Sequence, residues 1–159
     1  MNVGCRQPST LLYLLLRFTP VTNTDTCTLA KYAFPTNCPC GSGKSYKDCC
    51  FMYHMEKIHA PTPEALMRSR YAAYVLKKAD YLLYSWYPDT RPKELDLSDD
   101  VKWSGLTIVG TELSVDGLEG TVEFVAKYKI GGRAAKMTEK SNFVRHSNRW
   151  YYVDGEVKE

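Results

Sequence analysis

Between Thr121 and Ile130 the side chains alternate. Val122, Phe124, Ala126, Tyr128 and Ile130 take one side, and Glu123, Lys127 and Lys129 the other. A strand sends successive side chains to opposite faces, so a strict period of two predicts a half-buried β-strand. Trp103, Leu106, Ile108 and Val109 mark a second strand over 101–113, with Val115-Asp116-Gly117 as the turn between the two. Gly131-Gly132 predicts a hairpin into a strand over 134–146. Ser147-Asn148 then turns the chain into Trp150-Tyr151-Tyr152-Val153.

Upstream the period changes. Met67, Tyr71, Tyr74, Val75 and Lys78 recur at steps of three and four, which predicts an amphipathic helix to about Lys77. Its start is written in Thr62-Pro63-Glu64. The threonine can cap, proline suits the first helical position, and a carboxylate favours the positive end of the helix dipole. Asp80 is placed to cap a shorter helix over 81–87 that Pro88 stops, and 88–100 reads as a loop. Residues 51–60 predict a short helix carrying His54 and His59. Residues 1–37, rich in threonine and broken by Pro8, Pro20 and Pro35, show no period and read as a disordered or poorly ordered extension. Helices first and antiparallel strands afterwards give an α+β fold, the helices packed on a curved antiparallel sheet. The expected organisation is an extension over 1–37, a small N-terminal knuckle over 38–60 and an α+β domain over 61–157.

Composition adds limits. With 44% hydrophobic and 25% charged residues in 159, the chain can bury a core. A net charge of +3 without a basic tail argues against electrostatic binding of nucleic acid. The longest apolar run, Leu11 to Leu16 interrupted by Tyr13, is far short of the roughly 20 residues that cross a bilayer. No small-residue cleavage site follows it, so neither a membrane anchor nor a secretion signal is expected.

Candidate chemistry is concentrated in Cys38-Pro39-Cys40-Gly41-Ser42-Gly43-Lys44-Ser45-Tyr46-Lys47-Asp48-Cys49-Cys50, which holds four of the six cysteines. Adjacent and next-but-one cysteines make strained disulfides with each other. Four soft thiolates at this spacing suit one tetrahedral metal ion in a reducing compartment, so the cytoplasm is expected. Cys38, Cys40, Cys49 and Cys50 are the candidate ligands, with His54 as the alternative to Cys50. Zinc is the expected ion, and iron would also accept four thiolates. Such a site has no open coordination position and is structural rather than hydrolytic. Gly-Lys-Ser at 43–45 is not a phosphate loop, because position 38 is Cys where that pattern needs Gly and no strand precedes it.

Cys-Pro-Cys-Gly-Ser-Gly-Lys with a closing Cys-Cys resembles the SEC-C motif, named for the C-terminal tail of the translocation ATPase SecA. Leu66-Met67-Arg68-Ser69-Arg70-Tyr71, Ala79-Asp80-Tyr81-Leu82, Val122-Glu123-Phe124-Val125-Ala126 and Arg149-Trp150-Tyr151-Tyr152-Val153-Asp154-Gly155 resemble the bacterial YchJ family. The resemblance spans about 38–157. It implies a nuclear transport factor 2-like cone, zinc held by three cysteines and a final His or Cys, and contacts with protein partners such as the chaperone SecB or a ribosome-associated assembly. Two departures stand out. This sequence contains one such motif where many members carry a second, and it reads Trp86-Tyr87-Pro88 where members often show a histidine.

Cones of this kind often enclose a pocket. Arg70, Tyr74, Asp80, Tyr81 and Trp86 are its candidate lining. General acid–base work needs an ionisable group held near substrate in a partly dry pocket. No Ser/His/Asp or Cys/His set is recognisable by spacing, so no catalytic residue is assigned. The main expectation is a metal-binding, protein-contacting protein without nucleic-acid or membrane partners. The alternative is small-molecule binding or enzymatic activity in the cone.

Overall fold

The computed structural model describes residues 34–158. The expectations for 1–33, including the apolar run Leu11–Leu16, lie outside the described residues. The element order is α1 (Cys50–His54), α2 (Pro63–Val75), α3 (Ala79–Tyr84), β1 (Lys102–Leu113), β2 (Glu119–Ile130), β3 (Arg133–His146) and β4 (Arg149–Lys158). The strands form one antiparallel meander in the order β1-β2-β3-β4. This is the α+β arrangement the alternation and helical stripe predict. Among the described residues no helix is long and apolar enough to cross a membrane.

The turns follow from local chemistry. Gly131 and Gly132 have φ of 54° and 79°, and Ser147 and Asn148 have 48° and 63°. Positive φ at both central residues matches the right-handed twist of the flanking strands. Between β1 and β2 the Asp116 carboxylate accepts from Ser114 Oγ and Leu118 N, at 2.6 and 3.0 Å. Register shifts at Trp103/Gly105, Ile108/Gly110 and Asn142/Phe143 bend the sheet. Val109 falls at one of these shifts and is exposed rather than core. On β2 the inward face is buried at Val122, Phe124 and Ala126, while Ile130 runs past the core to an exposed position.

Thr62 Oγ1 accepts from Ala65 N at 3.1 Å, and Pro63 opens α2 as predicted. The helix is buried well beyond the expected stripe. Leu66, Met67, Ser69, Arg70, Tyr71, Ala72 and Ala73 are all buried. The sheet, α1 and α3 each pack on α2, so few of its positions face water. It ends with Lys77 in the left-handed region at φ 53°, Lys77 N bonding Tyr74 O and Lys78 N bonding Ala73 O. That is a Schellman stop with lysine where glycine is usual. α1 stops the same way at Glu56, φ 55°, so the helix expected over 51–60 is one short turn and His59 is exposed. α3 starts earlier than expected. Its N-cap is Lys78 and Asp80 lies exposed within the first turn, so Asp80 is not the cap. The helix releases Trp86, which pairs with Tyr152 beside β4.

Candidate functional site

The knuckle is built by short-range geometry. Cys38 N bonds Lys44 O at 2.8 Å, and Gly41 N bonds Cys38 O at 3.3 Å. Gly41 and Gly43 sit at φ 75° and 76°, where a side chain would strain the loop. Asp48 accepts from Ser45 Oγ at 2.6 Å and tightens the turn that delivers Cys49 and Cys50. The four Sγ atoms lie within 4.8 Å of one another. Cys40 and Cys49 are 3.6 Å apart, and Cys49 and Cys50 are 3.9 Å apart. A disulfide needs about 2.05 Å. A tetrahedral ion with metal–sulfur bonds of about 2.3 Å puts its sulfurs about 3.8 Å apart. The spacing therefore fits one metal ion. Hydrogen bonds from Cys38 and then Cys50 pull the Cys40 pKa far down. The bond to Cys40 helps push Cys38 up to about 11, and bonds to Cys38 and Cys40, with burial, push Cys50 up. Four sulfurs at this spacing form a donor set that a divalent cation would complete.

His54 is not among the four. Its Nε2 lies 2.8 Å from Ser69 O and its Nδ1 2.6 Å from Tyr46 Oη. A carbonyl only accepts, so Nε2 carries the proton and Nδ1 takes the tyrosine hydroxyl. Burial lowers the imidazole pKa to about 4 from an ordinary 6.5, which keeps the ring neutral. His54 thus joins the knuckle to α2 through both ring nitrogens. Arg68 adds a second tie, its Nη1 donating to Cys40 O at 3.0 Å while Nε bonds Glu64 at 2.8 Å.

The other candidate site lies between α2 and the sheet. A cavity of about 200 Å³ is lined by Arg70, Tyr74, Trp103, Glu139, Ser141 and Tyr152, with Met67, Tyr71, Phe124, Ala126 and Met137 completing the wall. Of the expected lining, Arg70 and Tyr74 are there. Asp80 is on the surface. Tyr81 is buried elsewhere, its hydroxyl 2.7 Å from Ser69 Oγ, and Trp86 packs outside, 4.9 Å from Arg70 Cζ. Arg70 is 2% exposed. Its Nη1 donates to Leu82 O at 2.9 Å and Ser85 Oγ at 2.7 Å, and Cζ stacks 4.1 Å over Tyr152. Desolvation lowers the guanidinium pKa, and burial raises those of Tyr74 and Tyr152. Glu139 and Ser141 line the cavity from β3, and Ser141 carries no signal in the sequence that marks it as a cavity residue. They stand two apart on one strand face, and Ser141 Oγ donates to Glu139 Oε1 at 2.7 Å.

Fold and site together define a nuclear transport factor 2-like domain with a SEC-C cysteine knuckle at its N-terminal side. The family model described as YchJ, middle NTF2-like domain, matches residues 62–155, and the SEC-C motif matches 36–51. The chain belongs to the YchJ (UPF0225) family. A UPF0225 protein of Bordetella pertussis is 49% identical over 127 residues, which is 78% of this chain and 95% of that one. A UPF0225 protein of Deinococcus radiodurans is 53% identical over 74% of this chain and 86% of its own. A SEC-C motif containing protein from Rhodopseudomonas palustris, solved in solution, superposes with a TM-score of 0.70 at 38% identity, covering 77% of this chain and 99% of that one. A second such protein, from Psychrobacter arcticus, gives 0.65 at 29% identity over 77% and 83%.

Proposed function

We propose that the four thiolates hold one structural zinc ion and that the knuckle so closed docks on a protein partner in the cytoplasm. The observation that carries the metal is the group of four sulfurs at tetrahedral spacing. Cys38, Cys40, Cys49 and Cys50 would hold the ion, and it would supply cross-linking of the loop rather than a reactive position. The docking reading is supported by what the knuckle leaves outside. Met52, Met55 and Ile58 are exposed on α1 and the turn after it. Lys44, Lys47 and Lys57 are exposed in the same stretch. Apolar side chains among lysines suit a partner with an apolar centre and an acidic rim.

The test combines metal analysis with capture. Purified protein should hold about one metal ion per chain, the stoichiometry of a four-ligand site, and zinc should exceed iron. Cys38→Ser and Cys49→Ser should lose it, and unchanged metal in both would end the zinc reading. For docking, wild type, a Cys38→Ser/Cys40→Ser double variant and Met55→Glu are used as bait. A partner retained by wild type and lost by Met55→Glu at full metal content supports docking. Equal capture by all three contradicts it.

A further inference from the structure

Arg70 brings a permanent charge into the middle of the cone, and among the described residues no carboxylate comes within ion-pair distance of it. Neutral acceptors and two aromatic faces hold it: Leu82 O, Ser85 Oγ, the Tyr74 hydroxyl, and the rings of Trp86 and Tyr152. These solvate the guanidinium but do not neutralise it. Glu139 lines the same cavity, and it too is fixed by a neutral group, the Ser141 hydroxyl. Its position depends on Gly155, where a Cβ would lie 2.8 Å from Glu139 Cδ. One cavity thus presents a cation and an anion that are each anchored and not paired with each other. Tyr71, Tyr74 and Trp103 supply aromatic wall around them.

This arrangement selects by charge. A simple anion would gain Arg70 but face Glu139. A simple cation would gain Glu139 and the aromatic faces but face a desolvated guanidinium. A ligand with both charges meets both groups, and its ammonium would sit among aromatic rings that favour cations. A cavity of about 200 Å³ has room for about seven water-sized groups, the size of a small amino acid or betaine. We propose that the cone cavity binds a small zwitterion, its carboxylate toward Arg70 and its ammonium toward Glu139. This is a site separate from the cysteine knuckle, and it does not rest on the docking reading.

The experiment uses the full chain with its metal retained and follows the methyl signals of Met67 and Met137 by NMR. The probes are L-valine and glycine betaine. The controls remove one charge from each: isovalerate lacks the amine of valine, isobutylamine lacks its carboxylate, and choline lacks the carboxylate of betaine. At equal millimolar concentrations, saturable shifts are expected from at least one zwitterion, with its one-charge analogues at least about tenfold weaker, the size of one lost charged hydrogen bond. Valine against betaine then decides the ammonium type. Glu139→Gln keeps an acceptor for Ser141 and should weaken the zwitterion about tenfold while strengthening isovalerate. Gly155→Ala should weaken the zwitterion as well by displacing the carboxylate. The proposal is overturned if no probe gives a saturable shift, if isovalerate or choline binds as tightly as the zwitterions, or if Glu139→Gln leaves zwitterion binding unchanged. Metal analysis of the same samples should match wild type, so a failure here leaves the knuckle reading untouched.

Discussion

In the knuckle, four sulfurs lie within 4.8 Å of one another, a spacing that suits a single ion. On the far side of α2, Arg70 and Glu139 face about 200 Å³ of cavity without forming an ion pair. Both regions keep their buried polar atoms satisfied, and no buried side-chain nitrogen or oxygen of the described residues lacks a partner. They differ in what satisfies them. The knuckle's thiols answer to each other, so the group closes on itself. The cavity's charges answer to neutral fixtures at its edge, such as Ser85 and Ser141, so their charge remains available to something that enters. On the proposed readings, the difference separates a site that would hold the protein's shape from a site that would hold a guest.

Removing a ligand of the knuckle should give the largest effect. Cys38→Ser should abolish metal binding and lower stability by several kcal/mol, because structural metal binding is folding free energy. Thermal unfolding with and without a chelator checks this, and the variant should resemble chelated wild type. A knuckle variant that keeps its stability would erase the contrast between the regions.

Arg70→Met comes next. It leaves Ser85 Oγ short of a buried donor, while Leu82 O keeps the Ser85 hydroxyl at 3.0 Å, and should cost about 2 kcal/mol. Denaturant unfolding measures the loss, and metal content should stay unchanged. Loss of metal in this variant would mean that the two regions are one site.

The His54 joint gives a pH signature. The folded-state pKa is lowered to about 4 from 6.5, so below 6.5 the unfolded chain takes the proton first. The contribution is fully present above 6.5 and is lost as pH falls through about 4. The total is about 3 kcal/mol by linkage. Unfolding free energy followed from pH 7 downward, while metal is still bound, should show the fall, and His54→Gln should flatten it. The smallest effect is expected from Arg68→Ala. Losing the bond to Cys40 O should cost about 1 kcal/mol and weaken metal retention severalfold, read by competition with a chelator.

What was legible in the chain was local. The alternation on β2, the Gly131-Gly132 turn, the Thr62-Pro63 start and the Cys-x-Cys spacing each act within a few residues, and each appears where expected. The helix ends were less legible because Glu56 and Lys77 occupy left-handed positions that usually announce themselves as glycine. The cavity depended on partners distant in sequence. Arg70 on α2 meets Tyr152 on β4 and shares a wall with Glu139 on β3 only after the sheet has curved. Asp80 had the right chemistry for that pocket. It lies on the surface because α3 begins at Ala79 and turns that side chain outward.

α2 is covered by the sheet, by α3 and by α1. A helix shared in this way cannot be uncovered on one side without loosening the others. The calorimetric and van't Hoff enthalpies of the metal-bound protein should therefore coincide in a single transition. Deleting residues 34–54 should not release a self-standing cone. It would bare Ser69 and Tyr81, which are buried now, and turn a cooperative domain into one that melts gradually.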